Sequence, residues 1–254
     1  MTKSDNTAMI LAAGLGTRLK ELTYDKPKAL VEVNGKPMLQ HCIKTLIDNG
    51  FHRIIVNVHH FGEQIIDFVS SHPFDAEILI SDERGQLMDT GGGIVKASPL
   101  FQQSEAVLVH NVDIISDVNL RALYQQFIAS TDDAWLLTQD RETTRKLLFD
   151  EKKQLVGWKN KAEGRYKWVS QPCDAYHEMA FSGMHLFRSD LFSGFDAKPV
   201  SIIDLYLQLA QQKSIVSKPI NPSFWFDLGK AEQIEKINRQ LRELDEFLRV
   251  HSRN

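Results

Sequence analysis

The chain has 254 residues, 43% of them hydrophobic and 25% charged, with 30 Lys and Arg against 33 Asp and Glu and a formal net charge of -3. Such a chain buries a full core; it is too apolar for disorder and too charged for a bundle of membrane helices. The slight negative charge provides no global field toward nucleic acid or an anionic membrane, and neither is expected as a partner.

Residues 1–13 lack the basic start and cleavage region of a signal peptide, and no apolar run approaches the roughly 20 residues that cross a bilayer. A cytoplasmic protein is expected. Cys42 and Cys173 have no metal-ligand spacing and read as buried apolar residues.

Short apolar runs predict strands at Thr7 to Leu11, Arg53 to Val58, Glu77 to Ser81, Ala106 to His110 and Ala134 to Thr138. Between them, apolar residues at helical spacing predict helices at Met38 to Asn49, Glu63 to Ser70, Gly93 to Leu100 and Asn119 to Ser130. Strands without polar alternation are those covered on both faces, so the reading is an α/β sandwich around a mixed, mainly parallel sheet flanked by helices. After about residue 140 the alternation stops. Strand-like pieces at Lys146 to Phe149, Leu155 to Trp158 and Met179 to Phe187 predict an inserted or appended sheet in 141–229, and another strand is read at Ser223 to Phe226. From Lys230 to Val250 an apolar stripe through Ile234, Ile237, Leu241, Leu244 and Leu248 predicts an amphipathic helix that docks on its own domain or joins two copies of the chain.

The segment Leu11 to Leu19, LAAGLGTRL, follows the first strand directly, which puts Gly14 and Gly16 at the carboxyl edge of the sheet, where open α/β folds bind ligands. Glycine lets main-chain N–H groups approach phosphate oxygens without side-chain interference. The loop is neither a Walker loop nor a complete dinucleotide fingerprint, because Leu19 stands where the third glycine would. Arg18 and Lys28 supply the charge a polyphosphate needs, one as a fork and one as a movable point charge, whereas Lys20 and Lys26 read as solvated surface charges.

LAAGLGTRL followed by Lys26 to Leu30, KPKAL, resembles the bipartite signature of the sugar-1-phosphate nucleotidylyltransferases. The resemblance continues in order through Asp89 to Ile94, His110 to Ile114, Ala180 to Gly183 and Trp225 to Gly229, over nearly the whole chain. The short bacterial N-acetylmuramate-1-phosphate uridylyltransferases are most similar, and the mannose- and heptose-1-phosphate guanylyltransferases stay open. The resemblance implies a Rossmann-like fold of the nucleotide-diphospho-sugar transferase type, as one domain over 1–254 with a nucleotide-binding half at 1–140. It implies transfer of a nucleotidyl group from an NTP to a sugar 1-phosphate, with pyrophosphate released, by a monomer or homodimer. No appended acetyltransferase β-helix is expected.

By the same resemblance Arg18 holds the β- and γ-phosphates and Lys28 the α-phosphate. Asp113 and Asp227 hold Mg2+. Leu11, Ala12, Ala13, Gly14, Gly16, Thr17 and Asn111 surround the nucleotide, with the main chain of Leu11 to Ala13 reading the base edge and Gly91 and Gly92 lying against base or ribose. Gly183 lies under the sugar. Lys159 is the nearest candidate for a sugar-phosphate lysine, with a solvated surface lysine as its competing reading. Val112 departs from the family's usual glycine and either points into the core or crowds the nucleotide. Two other functions stay open: a metal-dependent glycosyltransferase, against which Ile114, Ile115 and Ser116 leave no second aspartate after Asp113, and a nucleotide-binding regulatory protein without turnover.

Overall fold

The computed structural model describes residues 6–101, 104–172 and 174–239. In chain order the elements are β1 (Asn6–Leu11), β2 (Glu32–Val33), β3 (Lys36–Pro37), α1 (Met38–Asp48), β4 (Phe51–Val58), α2 (Gly62–Ser71), β5 (Glu77–Asp82), α3 (Asp89–Ala97), β6 (Ala106–Asn111), β7 (Ile114–Ser116), α4 (Leu120–Ile128), β8 (Ala134–Gln139), β9 (Arg145–Phe149), β10 (Leu155–Asn160), β11 (Arg165–Trp168), β12 (His177–Arg188), α5 (Ile202–Leu209), β13 (Ile215–Pro219) and β14 (Trp225–Asp227).

Strand β1 lies between β4 and β6, parallel to both, with β5 parallel beyond β4. Their side chains alternate between two apolar layers. Ala8, Ile10, Ile54, Val56 and Leu108 face one core with α1, α2 and α4, while Met9, Ile55, Val107 and Val109 face the other with α3 and α5. Burial on both faces is why these strands carry no polar alternation. Helix α4 starts where Asn119 caps it, its side chain accepting from Ala122 N at 2.9 Å.

The 12-residue β12 joins the two halves. Its Met184 to Arg188 segment runs antiparallel to β6, and its His177 to Met179 segment pairs with β9, which leads on to β10 and β11. The predicted appended sheet is therefore continuous with the main one, as a single ten-stranded sheet with β8 and β13 alongside β12. The register of β12 against β8 shifts between Phe181 and His185, around Gly183, whose φ of +81° is open to glycine at little cost.

Three expectations need correction or restriction. Helix α3 begins at Asp89, not Gly93, so Gly91, Gly92 and Gly93 lie inside its first turns. The last strand is Trp225–Asp227. The terminal helix is seen over 231–239, with Ile234 and Ile237 buried against Leu228's core; Leu241, Leu244 and Leu248 lie outside the described residues, as does Cys173. Cys42 is buried, as expected. No helix among the described residues is long and apolar enough to cross a membrane.

His185 of β12 is fully enclosed, with Nδ1 2.6 Å from the Tyr206 hydroxyl and Nε2 without a partner. Burial pushes its pKa down from 6.5 to about 3. Below about 6.5 the unfolded chain takes up a proton here that the native protein refuses until about 3, so stability falls as pH drops through that window. His185→Gln is expected to flatten the acid limb of stability in denaturant titrations between pH 7 and 4; equal slopes in both proteins would assign that limb to other groups.

Candidate active site

The carboxyl ends of β1, β4, β5 and β6 share one edge of the sheet, and β1 is flanked there by strands on either side, the position where open α/β sheets form a ligand crevice. A cavity of about 470 Å³ opens at that edge, lined by Leu11 to Gly14, Arg18, Lys28 and Asn111 to Asp113 among others.

Within the glycine loop the two glycines serve different ends. A side chain on Gly14 would meet nothing within 4 Å, so its absence leaves the cavity open. Gly16 does not line that cavity. It turns the chain at φ +66°, and its carbonyl accepts from Leu19 N at 2.8 Å and from the Thr23 hydroxyl at 3.2 Å, launching the 3-10 turn Thr17–Thr23 that carries Arg18. Thr17 begins that turn and likewise stays outside the cavity wall.

Two of the loop's amides are already engaged. Asn57 Oδ1 accepts from Ala12 N at 2.7 Å and from Ala13 N at 3.3 Å, and Asn57 Nδ2 donates to the wholly buried Glu83 at 2.7 Å. Burial raises the pKa of Glu83, opposed by its hydrogen bonds from Asn57 and from Met88 N. This narrows how the main chain of Leu11 to Ala13 can meet a base edge: two of its N–H groups are spent on Asn57, and the Leu11 carbonyl accepts from Val112 N at 3.3 Å. Asn57 and Glu83 were missed from sequence because each is a single polar residue near a strand end. The signal was present in Asn57 interrupting the apolar run Ile54 to Val58.

Gly91 and Gly92 also depart from expectation. Both amides donate to Val200 O, at 2.9 and 3.1 Å, and a Cβ on Gly92 would lie 2.1 Å from Lys198 O. They allow α3 to press against 198–202, and it is Asp89 and Thr90 of this segment that line the cavity. Val112 is 4% exposed and packs in the core cluster with Ala12 and Ile114, while also bordering the cavity between Asn111 and Asp113.

The charged residues converge from three distant segments. Lys28 Nζ is ion-paired with Asp113, the two side chains 12% and 11% exposed. Strand β14 pairs with β7, setting Asp227 opposite Ile114, and Leu228 N donates to the Asp113 carbonyl at 2.8 Å. Asp227 Oδ1 accepts from Gly229 N at 2.9 Å, and a Cβ on Gly229 would touch both Asp227 Oδ1 and the Arg18 guanidinium. Arg18, Lys28, Asp113 and Asp227 thus meet at one corner. Among the described residues no three His, Cys, Asp or Glu side chains form a ready-made metal cage. Two carboxylates completed by nucleotide phosphates and water are nevertheless a donor set that Mg2+ accepts, so the residues fit that ion.

A second cavity of about 740 Å³ shares Arg18 and Asp227 with this corner and extends over Arg141, Lys146, Trp158 and Lys167. Lys159 is not part of its wall. It is buried in an ion pair with Glu178, because β10 alternates and its neighbour Trp158 takes the cavity side; both the sugar-phosphate reading and the solvated reading of Lys159 are corrected. Gly183 meets Asn111 and Ile114, which a Cβ would approach to 3.0 and 2.9 Å.

A family profile described as nucleotidyl transferase matches residues 7–243. The chain belongs to the nucleotidyl transferase family. This nucleotidyl transferase is 32% identical over 221 residues to an N-acetylmuramate alpha-1-phosphate uridylyltransferase of Caulobacter vibrioides, covering 83% of this chain and 86% of that one. It is 28% identical to the enzyme of the same name from Neisseria meningitidis, covering 90% and 95%. It is also 28% identical to the mannose-1-phosphate guanylyltransferase catalytic subunit beta of Drosophila melanogaster, there spanning 89% of this chain and 60% of the relative. Among solved structures, HddC from Yersinia pseudotuberculosis complexed with GMP-PN superposes with a TM-score of 0.73 at 21% identity, over 93% of this chain and 99% of that one, which shows the fold. Family membership sets aside the glycosyltransferase alternative: the nucleotidyl transferase is an enzyme of the sugar-1-phosphate class.

Proposed function

We propose that the chain joins UTP to N-acetylmuramate 1-phosphate, giving the UDP-sugar and pyrophosphate. The observation that carries the reaction type is the meeting of Arg18, Lys28, Asp113 and Asp227 at the junction of two cavities, one against the glycine loop and one over β9 to β11. The choice of substrates is supported by the two uridylyltransferase relatives, each matched over more than four-fifths of its own length, whereas the guanylyltransferase extends well beyond the match.

In this reading an oxygen of the sugar phosphate attacks the α-phosphorus, the bond from that phosphorus to the β-phosphate bridging oxygen breaks, and pyrophosphate leaves. The sugar phosphate is itself the nucleophile, so no protein nucleophile is required, and the task is to position two anions in line and neutralise them. Lys28 serves the α-phosphate and Arg18 the departing phosphates. Asp113 and Asp227 hold Mg2+, which when bound screens the approaching anions and polarises the α-phosphate.

The test is pyrophosphate release with Mg2+ across four NTPs and the 1-phosphates of N-acetylmuramate, N-acetylglucosamine, mannose, glucose and heptose. Turnover is expected with UTP and N-acetylmuramate 1-phosphate above every other pair. GTP with mannose 1-phosphate as the best pair would move the enzyme to the guanylyltransferases, and NTP binding without turnover on any pair would favour the regulatory reading.

A further inference from the structure

The second cavity carries more positive charge than a sugar 1-phosphate calls for. Arg18, Arg141, Arg145, Lys146, Lys167 and Lys230 line it. Two carboxylates, Asp204 and Asp227, oppose them, and of the six cations Lys167 alone is in an ion pair among the described residues, with Asp204. With Arg18 given to the departing phosphates and one further cation offset by Asp227, a phosphate monoester dianion accounts for about two of the remaining charges and leaves about one.

Arg141 is held in a particular way. Its Cζ stacks 4.4 Å from the Trp225 ring centroid, and its Nη2 donates to the Phe181 carbonyl at 3.0 Å. Trp225 is pinned in turn by its Nε1 donating to Ser182 O at 3.1 Å, and Lys146 Nζ donates to the Arg141 carbonyl at 2.7 Å, which fixes the main chain behind the guanidinium. Both groups that anchor the guanidinium are neutral, Asp227 acts on it only through space without a hydrogen bond, and its buried Nε has no hydrogen-bond acceptor. A half-buried guanidinium with an unspent donor gains from a further anion, and a planar fork matches a carboxylate better than any other common anion of its size.

We propose that this cavity binds a carboxylate carried by the sugar, with Arg141 as the residue that selects acidic sugar 1-phosphates over neutral ones. This deepens the reading given above and rests on it: N-acetylmuramate differs from N-acetylglucosamine by a lactyl ether whose carboxylate supplies the third negative charge. Trp225 is the positioning residue, setting the plane of the guanidinium.

The experiment compares kcat/KM for N-acetylmuramate 1-phosphate and N-acetylglucosamine 1-phosphate, with UTP, in the wild type, Arg141→Met and Arg141→Lys. The wild type is expected to favour the acidic sugar by roughly 10- to 100-fold, the range of a hydrogen bond to a charged group. Arg141→Met should collapse that ratio toward one, chiefly through KM for the acidic sugar, and Arg141→Lys should keep part of it. Thermal melts report that both variants fold. A wild type that treats the two sugars alike, or a ratio unchanged in Arg141→Met, would overturn the assignment. Calorimetric binding of the same two sugar phosphates without NTP separates this from failure of the reaction itself: if no NTP supports turnover, tighter binding of the acidic sugar that is lost in Arg141→Met still supports the carboxylate site, and equal or absent binding of the two overturns it.

Discussion

Lys28→Ala is expected to lower kcat by roughly 10²- to 10³-fold, the cost of removing one preorganised donor from developing charge. The same substitution should also destabilise the protein, because Lys28 and Asp113 are paired with little solvent around either side chain. Leaving one charge of such a pair behind costs about 3 kcal/mol, which lowers Tm by roughly 6 to 12 °C in a chain of this length. The two effects separate in the double variant Lys28→Met with Asp113→Asn, in which neither charge is stranded. Its Tm is expected to return toward the wild-type value while turnover stays lost. Differential scanning calorimetry and initial rates of pyrophosphate release read the two outcomes independently, and a Lys28→Ala protein that kept full turnover would remove the lysine from the chemistry.

Among the glycines, Gly92→Ala is expected to be the most damaging added methyl group. The new Cβ would sit 2.1 Å from the Lys198 carbonyl oxygen, and the obstacle is main chain rather than a flexible side-chain tip. That main chain cannot easily retreat. Gly91 N and Gly92 N both donate to Val200 O, Val200 N donates to Met88 O at 3.1 Å, and Ile202 N donates to the Thr90 hydroxyl at 3.0 Å. A loss of about 3 kcal/mol is expected, at the upper end of ordinary overpacking. Since Asp89, Thr90 and Pro199 line the cavity against the glycine loop, where we place the NTP, KM for the NTP should rise as well. Gly14→Ala is the control: its Cβ meets no atom within 4 Å, so Tm should hold while nucleotide affinity falls. Urea unfolding and NTP titration of the two variants check both statements. A Gly92→Ala protein with unchanged stability would mean that 198–202 is free to move off α3.

The two substitutions draw on interactions of different visibility. Gly92 lies in a run of three glycines that stands out in the sequence, yet the reason for Gly91 and Gly92 is a segment more than 100 residues later, and the reason for Gly93 is the close approach of Glu83 and Asn57. Lys28 and Asp113 were each singled out by their motifs, but neither motif implied that one neutralises the other. Lys159 shows the converse. A lysine beside Trp158 looked like a candidate for the sugar phosphate, and the alternation of β10 turned it toward Glu178 instead.

By itself the sequence determined the parallel strands of the first half of the chain, the helices between them and the glycine loop that follows β1. Those features follow from local rules: apolar runs covered on both faces, apolar spacing of a helix, and backbone angles open to glycine. Only the tertiary structure decided that Asn57, braced by Glu83, holds two of the loop's amides, that β14 sets Asp227 beside Asp113, and that Arg141 stacks on Trp225 beside a cation-rich cavity. The physical reason is range. Backbone preference and burial period act over a few neighbouring residues, whereas the partner of a buried polar group is chosen by which strands pair and in what register, and across this sheet those partners are separated by 26 to 84 residues or more.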